Sequence, residues 1–157
     1  VTVAAGRAVA AALAATVAAV VLGVAAQDAS GDLAASRARE REVAAVLAAP
    51  DAWTVRRPVA SGGTGTLVVS RTRGSAVFAS AGLPRLPASR VYELWLMGPG
   101  GARPAGLLDP GPGDGPAGPV TVRVREGDAR VGLTVEPAGG SRRPTTRPLL
   151  LADLPPA

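Results

Sequence analysis

After Asp51 the chain is cut by Gly and Pro into short runs of strand formers, and no helical period separates them. The runs read "WTVRRPV", "TLVVS", "SAVFASA", "VYELWLM", "RPAGLL", "VTVRV", "RVGLTVEP" and "PLLLADL". Between them stand turn formers such as "ASGGTG", "RTRG", "GPGG" and "REGD". Short strands at regular spacing with turn punctuation predict an all-β domain, an antiparallel β-sandwich of immunoglobulin-like or similar type, over residues 51–157. In "VYELWLM", Tyr92, Leu94 and Leu96 point to one face and Glu93, Trp95 and Met97 to the other. Both faces carry large apolar groups, which predicts a central strand covered on both sides. Glu93 is the odd member. A buried carboxylate needs a partner, and Arg123 or Arg130 are the expected ones.

The region before Asp51 has a different texture. Residues 8–27, "AVAAALAATVAAVVLGVAAQ", carry no charge. Twenty helical residues rise about 30 Å, the thickness of a bilayer's hydrocarbon core. Residues 1–27 are therefore expected to form a transmembrane helix. A cleaved signal peptide, with Arg7 before the apolar run and small residues at Val24-Ala25-Ala26, is the alternative. Residues 28–50 are expected to form a juxtamembrane stalk helix. It carries Arg37/Glu40 and Arg39/Glu42 as i,i+3 pairs and Val43, Val46 and Leu47 as a short apolar face, and Pro50 ends it. The positive flank of Arg37, Arg39 and Arg41 outnumbers Arg7, and counted alone it would set the C-terminal side in the cytoplasm.

Composition removes several chemistries. The chain has neither Cys nor His, so nucleophilic pairs built on them and Cys/His zinc sites are excluded. All 17 basic residues are Arg and the net charge is +5, yet the arginines are scattered and aromatics make up only 3%. Nucleic-acid binders cluster charge and interleave stacking rings, so no nucleic-acid partner is expected; membrane lipid is. "DPGPGDG" lacks the rhythm of a calcium loop and reads as a flexible stretch. No cofactor, metal site or catalytic set is expected, and a carboxylate pair of Glu93 and Glu136 has nothing in the sequence to bring it together.

The most specifically spelled stretch is "LTVEPAGGSRRPTTRP", Leu133 to Pro148. Pro137 should stop a strand, and Gly139-Gly140 permit positive φ. The Glu136 carboxylate and the Ser141 and Thr145 hydroxyls can bond to freed loop amides. The stretch reads as a structural turn or as a partner-recognition loop.

"VYELWLMGPGGARPAGLL" followed by "VGLTVEPAGGSRRPTTRPLLL", with "APDAWTVR" and "VFASAGLPRLPASRVYELWL" upstream, resembles the C-terminal domain of the anti-sigma-K factors, transmembrane anti-sigma factors of the RskA type. The motif positions are Tyr92, Leu94, Trp95, Glu136, Pro137, Gly139, Gly140, Ser141, Pro144 and Thr145, read as structural. The resemblance implies a non-enzymatic regulator in the plasma membrane, with one membrane pass and an extracytoplasmic β domain. It implies that an extracytoplasmic-function sigma factor is held by a cytoplasmic helical domain and released by site-1 and intramembrane proteases. Only Val1 to Arg7 precede the apolar run, so the sigma-binding domain is expected in upstream coding sequence or on a separate polypeptide. The alternative is an exported, membrane-anchored binding module with no role in transcription.

Overall fold

A computed structural model of the chain describes residues 31–109, 111 and 118–156. The expected membrane helix over 1–27 and most of the Pro/Gly stretch after Asp109 lie outside the described residues. The chain divides into two units, Val1–Glu40 and Arg41–Ala157. Residues 31–47 are helical, and their side chains are exposed up to residue 42. Among the described residues no helix is long and apolar enough to cross a membrane.

Eight strands follow, as the punctuation predicts: β1 (Trp53–Pro58), β2 (Thr64–Ser70), β3 (Ser75–Ala81), β4 (Arg90–Gly98), β5 (Gly101–Leu108), β6 (Val120–Arg123), β7 (Arg130–Pro137) and β8 (Leu150–Asp153). They form two antiparallel four-stranded sheets, ordered β1-β2-β3-β6 and β5-β4-β7-β8. Each sheet gives one face to a common core. Val55, Leu67, Val69, Phe78 and Val122 come from the first sheet, and Tyr92, Leu94, Leu96, Leu133 and Leu150 from the second. The register produces this partition. Leu94 lies opposite Leu133, and Leu133 opposite Leu150, so alternate residues of three strands reach the same layer. Strand β5 runs beside β6 and β1 beside β8, which closes the two edges of the sandwich.

The alternation expected of β4 is the one observed, with Tyr92, Leu94 and Leu96 in the core and Glu93 and Trp95 buried on the opposite face. Strand β4 is central, paired to β5 and β7. "GPGG" is the tight turn of the β4–β5 hairpin, where Gly98 pairs with Gly101. "GGTGT" is only partly a turn, since β2 begins at Thr64 and Gly65 lies inside the strand. A Cβ at Gly65 would stand 2.6 Å from Leu150 Cδ1 and 2.9 Å from Phe78 Cε2. Gly65 is a packing position where β8 crosses the first sheet.

Three helix expectations change. Neither Arg37–Glu40 nor Arg39–Glu42 forms an ion pair; among the described residues the ion pairs are Arg103–Asp128 and Arg130–Asp153. Fully solvated side chains gain too little Coulomb energy to hold one rotamer pair together. Of the short apolar face only Val46 is completely buried, while Leu47 is 51% exposed. The helix ends at residue 47, short of Pro50.

Both ends of the β domain are tied at one turn, the β2–β3 connection. The Asp51 carboxylate accepts bonds from Ser70 Oγ (2.7 Å), Thr72 N (2.9 Å) and Thr72 Oγ1 (2.8 Å). These donors hold its carboxyl well below the usual range, led by the Thr72 amide. The neighbouring Arg71 guanidinium donates to the carbonyls of Pro155, Asp128 and Arg125, which anchors the C-terminal residues.

Adding a methyl group at Gly65 forces Leu150 and Phe78 off their rotamers. Gly65→Ala should lower stability by about 1–3 kcal/mol. Chemical denaturation of the variant against the parent measures it; an unchanged midpoint would mean that the two sheets do not pack tightly there.

Candidate functional site

The stretch after β7 folds back over the outer face of the second sheet. Register explains why its polar side chains meet. Glu93 of β4 lies opposite Thr134 of β7, so Glu136, two residues on, is the diagonal neighbour of Glu93 on the same face. Trp95 shares that face, and its Nε1–H donates to Thr134 Oγ1 at 2.8 Å. Thr134 Oγ1 in turn donates to Glu136 Oε1 at 2.6 Å. Trp95, Thr134 and Glu136 are all completely buried.

The loop completes the network. Pro137 ends β7, and the Gly140 amide donates to the Pro137 carbonyl, closing a turn in which Gly139 and Gly140 take φ of 92° and 82°. That turn aims Ser141 back at the sheet. Its amide donates to Glu93 Oε2 (2.8 Å) and its hydroxyl to Glu136 Oε2 (2.9 Å). Beyond Pro144, the Thr145 amide donates to both Glu136 oxygens (3.0 and 3.1 Å), and the Thr145 hydroxyl donates to Oε2. Thr146 brackets the same strand, since its Oγ1 donates to the Val135 carbonyl and accepts from the Val135 amide. On the core side, Tyr92 Oη donates to the Pro84 carbonyl (2.9 Å) and fixes the β3–β4 connection, whose Leu83 enters the core.

The two carboxylates share a sheet face and titrate in opposite directions. Burial alone would raise the Glu136 carboxyl; the Thr134, Thr145 and Ser141 donors outweigh it and bring it from 4.5 down to about 2. Glu93 is raised, chiefly by burial and further by the charge of Glu136, against the one opposing bond from the Ser141 amide.

Three expectations are thereby corrected. Neither Arg123 nor Arg130 is the partner of Glu93: Arg130 faces Asp153, and the Arg123 carbonyl accepts from Arg103. Arg130 shares the outer face of β7 with Thr134 and Glu136 but stands four residues along the strand, opposite Met97, and Arg123 belongs to β6 of the other sheet; a loop amide 48 residues away supplies the partner instead. Glu93 and Glu136 are also brought together, which needed the β4–β7 register to foresee. The Ser141 and Thr145 hydroxyls bond to the Glu136 carboxylate rather than to loop amides. Thr134 was missed; its only signal is its spacing of two from Glu136 along a strand.

All the motif positions expected to matter fall on this part of the molecule. Leu94 and Tyr92 lie on its core side; Trp95, Glu136, Pro137, Gly139, Gly140, Ser141, Pro144 and Thr145 are in or beside the network. Chemically, Glu136 has no face open to a substrate and its lone pairs are taken by four donor groups. It is suited to holding a loop, not to moving a proton. Among the described residues no group of three or more acidic side chains is placed to hold a metal ion.

A model of the family described as "Anti-sigma-K factor rskA, C-terminal" matches residues 9–149. The chain belongs to this anti-sigma-K factor family. Membership of a regulatory family agrees with a conspicuous motif consumed by internal bonding. An uncharacterized protein in the phr 5' region of Streptomyces griseus is 40% identical over 85 residues. That match covers 52% of this chain and 34% of the relative, so the aligned part is about a third of that protein's length. No solved structure matches the chain.

The network makes a signed prediction. Glu136→Gln should destabilise the domain by about 1–3 kcal/mol at neutral pH, because an amide cannot satisfy every donor aimed at the carboxylate. A depressed carboxyl contributes stability above its unfolded value, and this is lost as pH falls through the folded one. The difference in melting temperature between parent and variant should therefore narrow from about pH 4.5 to about pH 2. A gap independent of pH would place the effect outside this carboxylate.

Proposed function

We propose that this chain is the regulatory C-terminal part of a membrane-anchored anti-sigma factor, and that its β domain controls proteolytic release rather than catalysing a reaction. The observation that carries this is the family match across residues 9–149, which runs from the apolar segment through the Glu136 loop. In this reading residues 1–27 cross the membrane, 28–50 form the stalk, and the domain over 51–157 lies outside. The sigma factor is held by a cytoplasmic domain, and site-1 and intramembrane proteases free it. The Ala/Val/Thr/Gly-rich span suits a protease that must unwind its substrate.

Residues 31–42 have exposed side chains. Control is assigned instead to the junction at 43–52. There Val46 is completely buried and Asp51 is tied to Ser70 and Thr72. A protease needs an extended, locally unfolded segment, and ties at a junction raise the free energy of that opening.

Deleting residues 51–157 in cells should expose the stub to processing and switch on the cognate sigma-dependent reporter without the usual signal. A stub that persists uncut, with the reporter silent, would overturn the gating role.

A further inference from the structure

The loop after β7 has one side bonded to the sheet and one side exposed. Ser141 donates to Glu93 and Glu136, Thr145 to Glu136, and Thr146 to the Val135 carbonyl. The Leu149 amide then donates to the Leu133 carbonyl, just before β8 begins. The loop therefore runs from β4 over β7 to β8, across strands spaced about 4.8 Å apart. Between and beside these ties stand Arg142, Arg143 and Arg147, all exposed. Arg90, also exposed, lies opposite Pro137, where the loop leaves β7. Among the described residues the arginine side chains with hydrogen bonds are Arg57, Arg71 and Arg103, and those in ion pairs are Arg103 and Arg130. The four guanidiniums at this loop are thus uncommitted. The carboxylates under it, Glu93 and Glu136, are buried, and Glu136 is occupied by its own donors.

We infer that the exposed side of this loop is a docking surface for a flexible chain of repeating phosphate groups, held by Arg142, Arg143 and Arg147 with Arg90 at the flank. Guanidinium forks match phosphate oxygens and keep their charge at any working pH. Folding has already ordered the backbone that carries them, so docking does not have to. Arg142 borders the cleft beside Glu93, but Arg143 and Arg147 do not line it, which suits a chain laid over the surface rather than one enclosed anion. The guanidiniums come from two segments, and a tetrahedral phosphate accepts from donors outside a single plane more readily than a flat carboxylate does. A lipid-docking face pairs its basic groups with several apolar side chains that insert. Among the described residues Leu151 is the one large exposed apolar side chain on this sheet; Leu47 and Trp53 lie where the chain enters the β domain. Single-stranded nucleic acid needs aromatic platforms, and none is exposed at the loop. The inference does not rest on the anti-sigma reading, since it concerns what the domain binds and not what release achieves.

The test titrates the full chain with inorganic polyphosphate by calorimetry at low and high salt. The parent should bind, less tightly as salt rises. Replacing Arg142, Arg143 and Arg147 together by Ala should weaken binding about tenfold or more at an unchanged melting temperature, because these side chains hold nothing inside the domain. Replacing the exposed Arg73, Arg123 and Arg125 by Ala removes the same charge elsewhere and should change binding by less than about twofold. Four results would each overturn the assignment: no binding by the parent, equal loss in both triple variants, tighter binding of polyglutamate than of polyphosphate, or a loop variant that loses attachment to phosphatidylglycerol vesicles while keeping polyphosphate. Should the loop triple variant fail to fold, the three single Ala substitutions decide, each expected to weaken polyphosphate binding more than Arg73→Ala does.

Discussion

Placing an ionised carboxylate entirely out of water costs several kcal/mol unless hydrogen-bond donors replace the lost hydration. In this domain that demand falls on Glu136, which is 0% exposed and sits on the outer face of the second sheet. Its answer comes from one strand residue, Thr134, and from two loop residues, Ser141 and Thr145. Satisfying the charge thus requires the loop to lie across the sheet. With the loop in place, Trp95 is sealed beneath it, and β4 is covered on both faces. The left-handed pair Gly139-Gly140 and the strand stop at Pro137 are the backbone conditions for that path.

The same solution, side chains bonding to backbone groups across long sequence distances, holds the ends of the domain. Asp51 caps the β2–β3 turn from one side, and Arg71 in that turn grips the Pro155 carbonyl near the C-terminus from the other. These ties are charge-assisted and run to amides or carbonyls, which makes them stronger than surface ion pairs such as Arg130–Asp153. A domain whose entrance and exit are fastened to one turn opens as a unit rather than fraying from either end.

Much of this was legible in the residues. Alternation in "VYELWLM" separated the core side from the outer side of β4, because strand period depends only on local geometry. The Gly/Pro spacing marked all eight strands for the same reason. Hydrogen-bond partners were not legible. Glu93 looked as if it needed an arginine, since opposite charges are the obvious remedy for a buried carboxylate. The fold uses the Ser141 amide, and the register that delivers it depends on pairing β4 with β7 across some 40 residues of sequence. The Asp51 and Arg71 ties were invisible for the same reason, lying 19 to 84 residues from their partners.

Glu93 and Glu136 show how two like residues on one surface acquire different work. Glu136 is saturated by donors and is held ionised, whereas Glu93 accepts the Ser141 amide and is pushed up by burial and by the Glu136 charge. The 138–149 loop is part of the folded sheet, tied to it through Ser141, Thr145 and Thr146. Native-state amide exchange at Ser141 and Thr145 tests it most directly. Protection matching that of the β4 and β7 amides is the predicted result. Rapid, loop-like exchange at both amides, with the strands still protected, would contradict it.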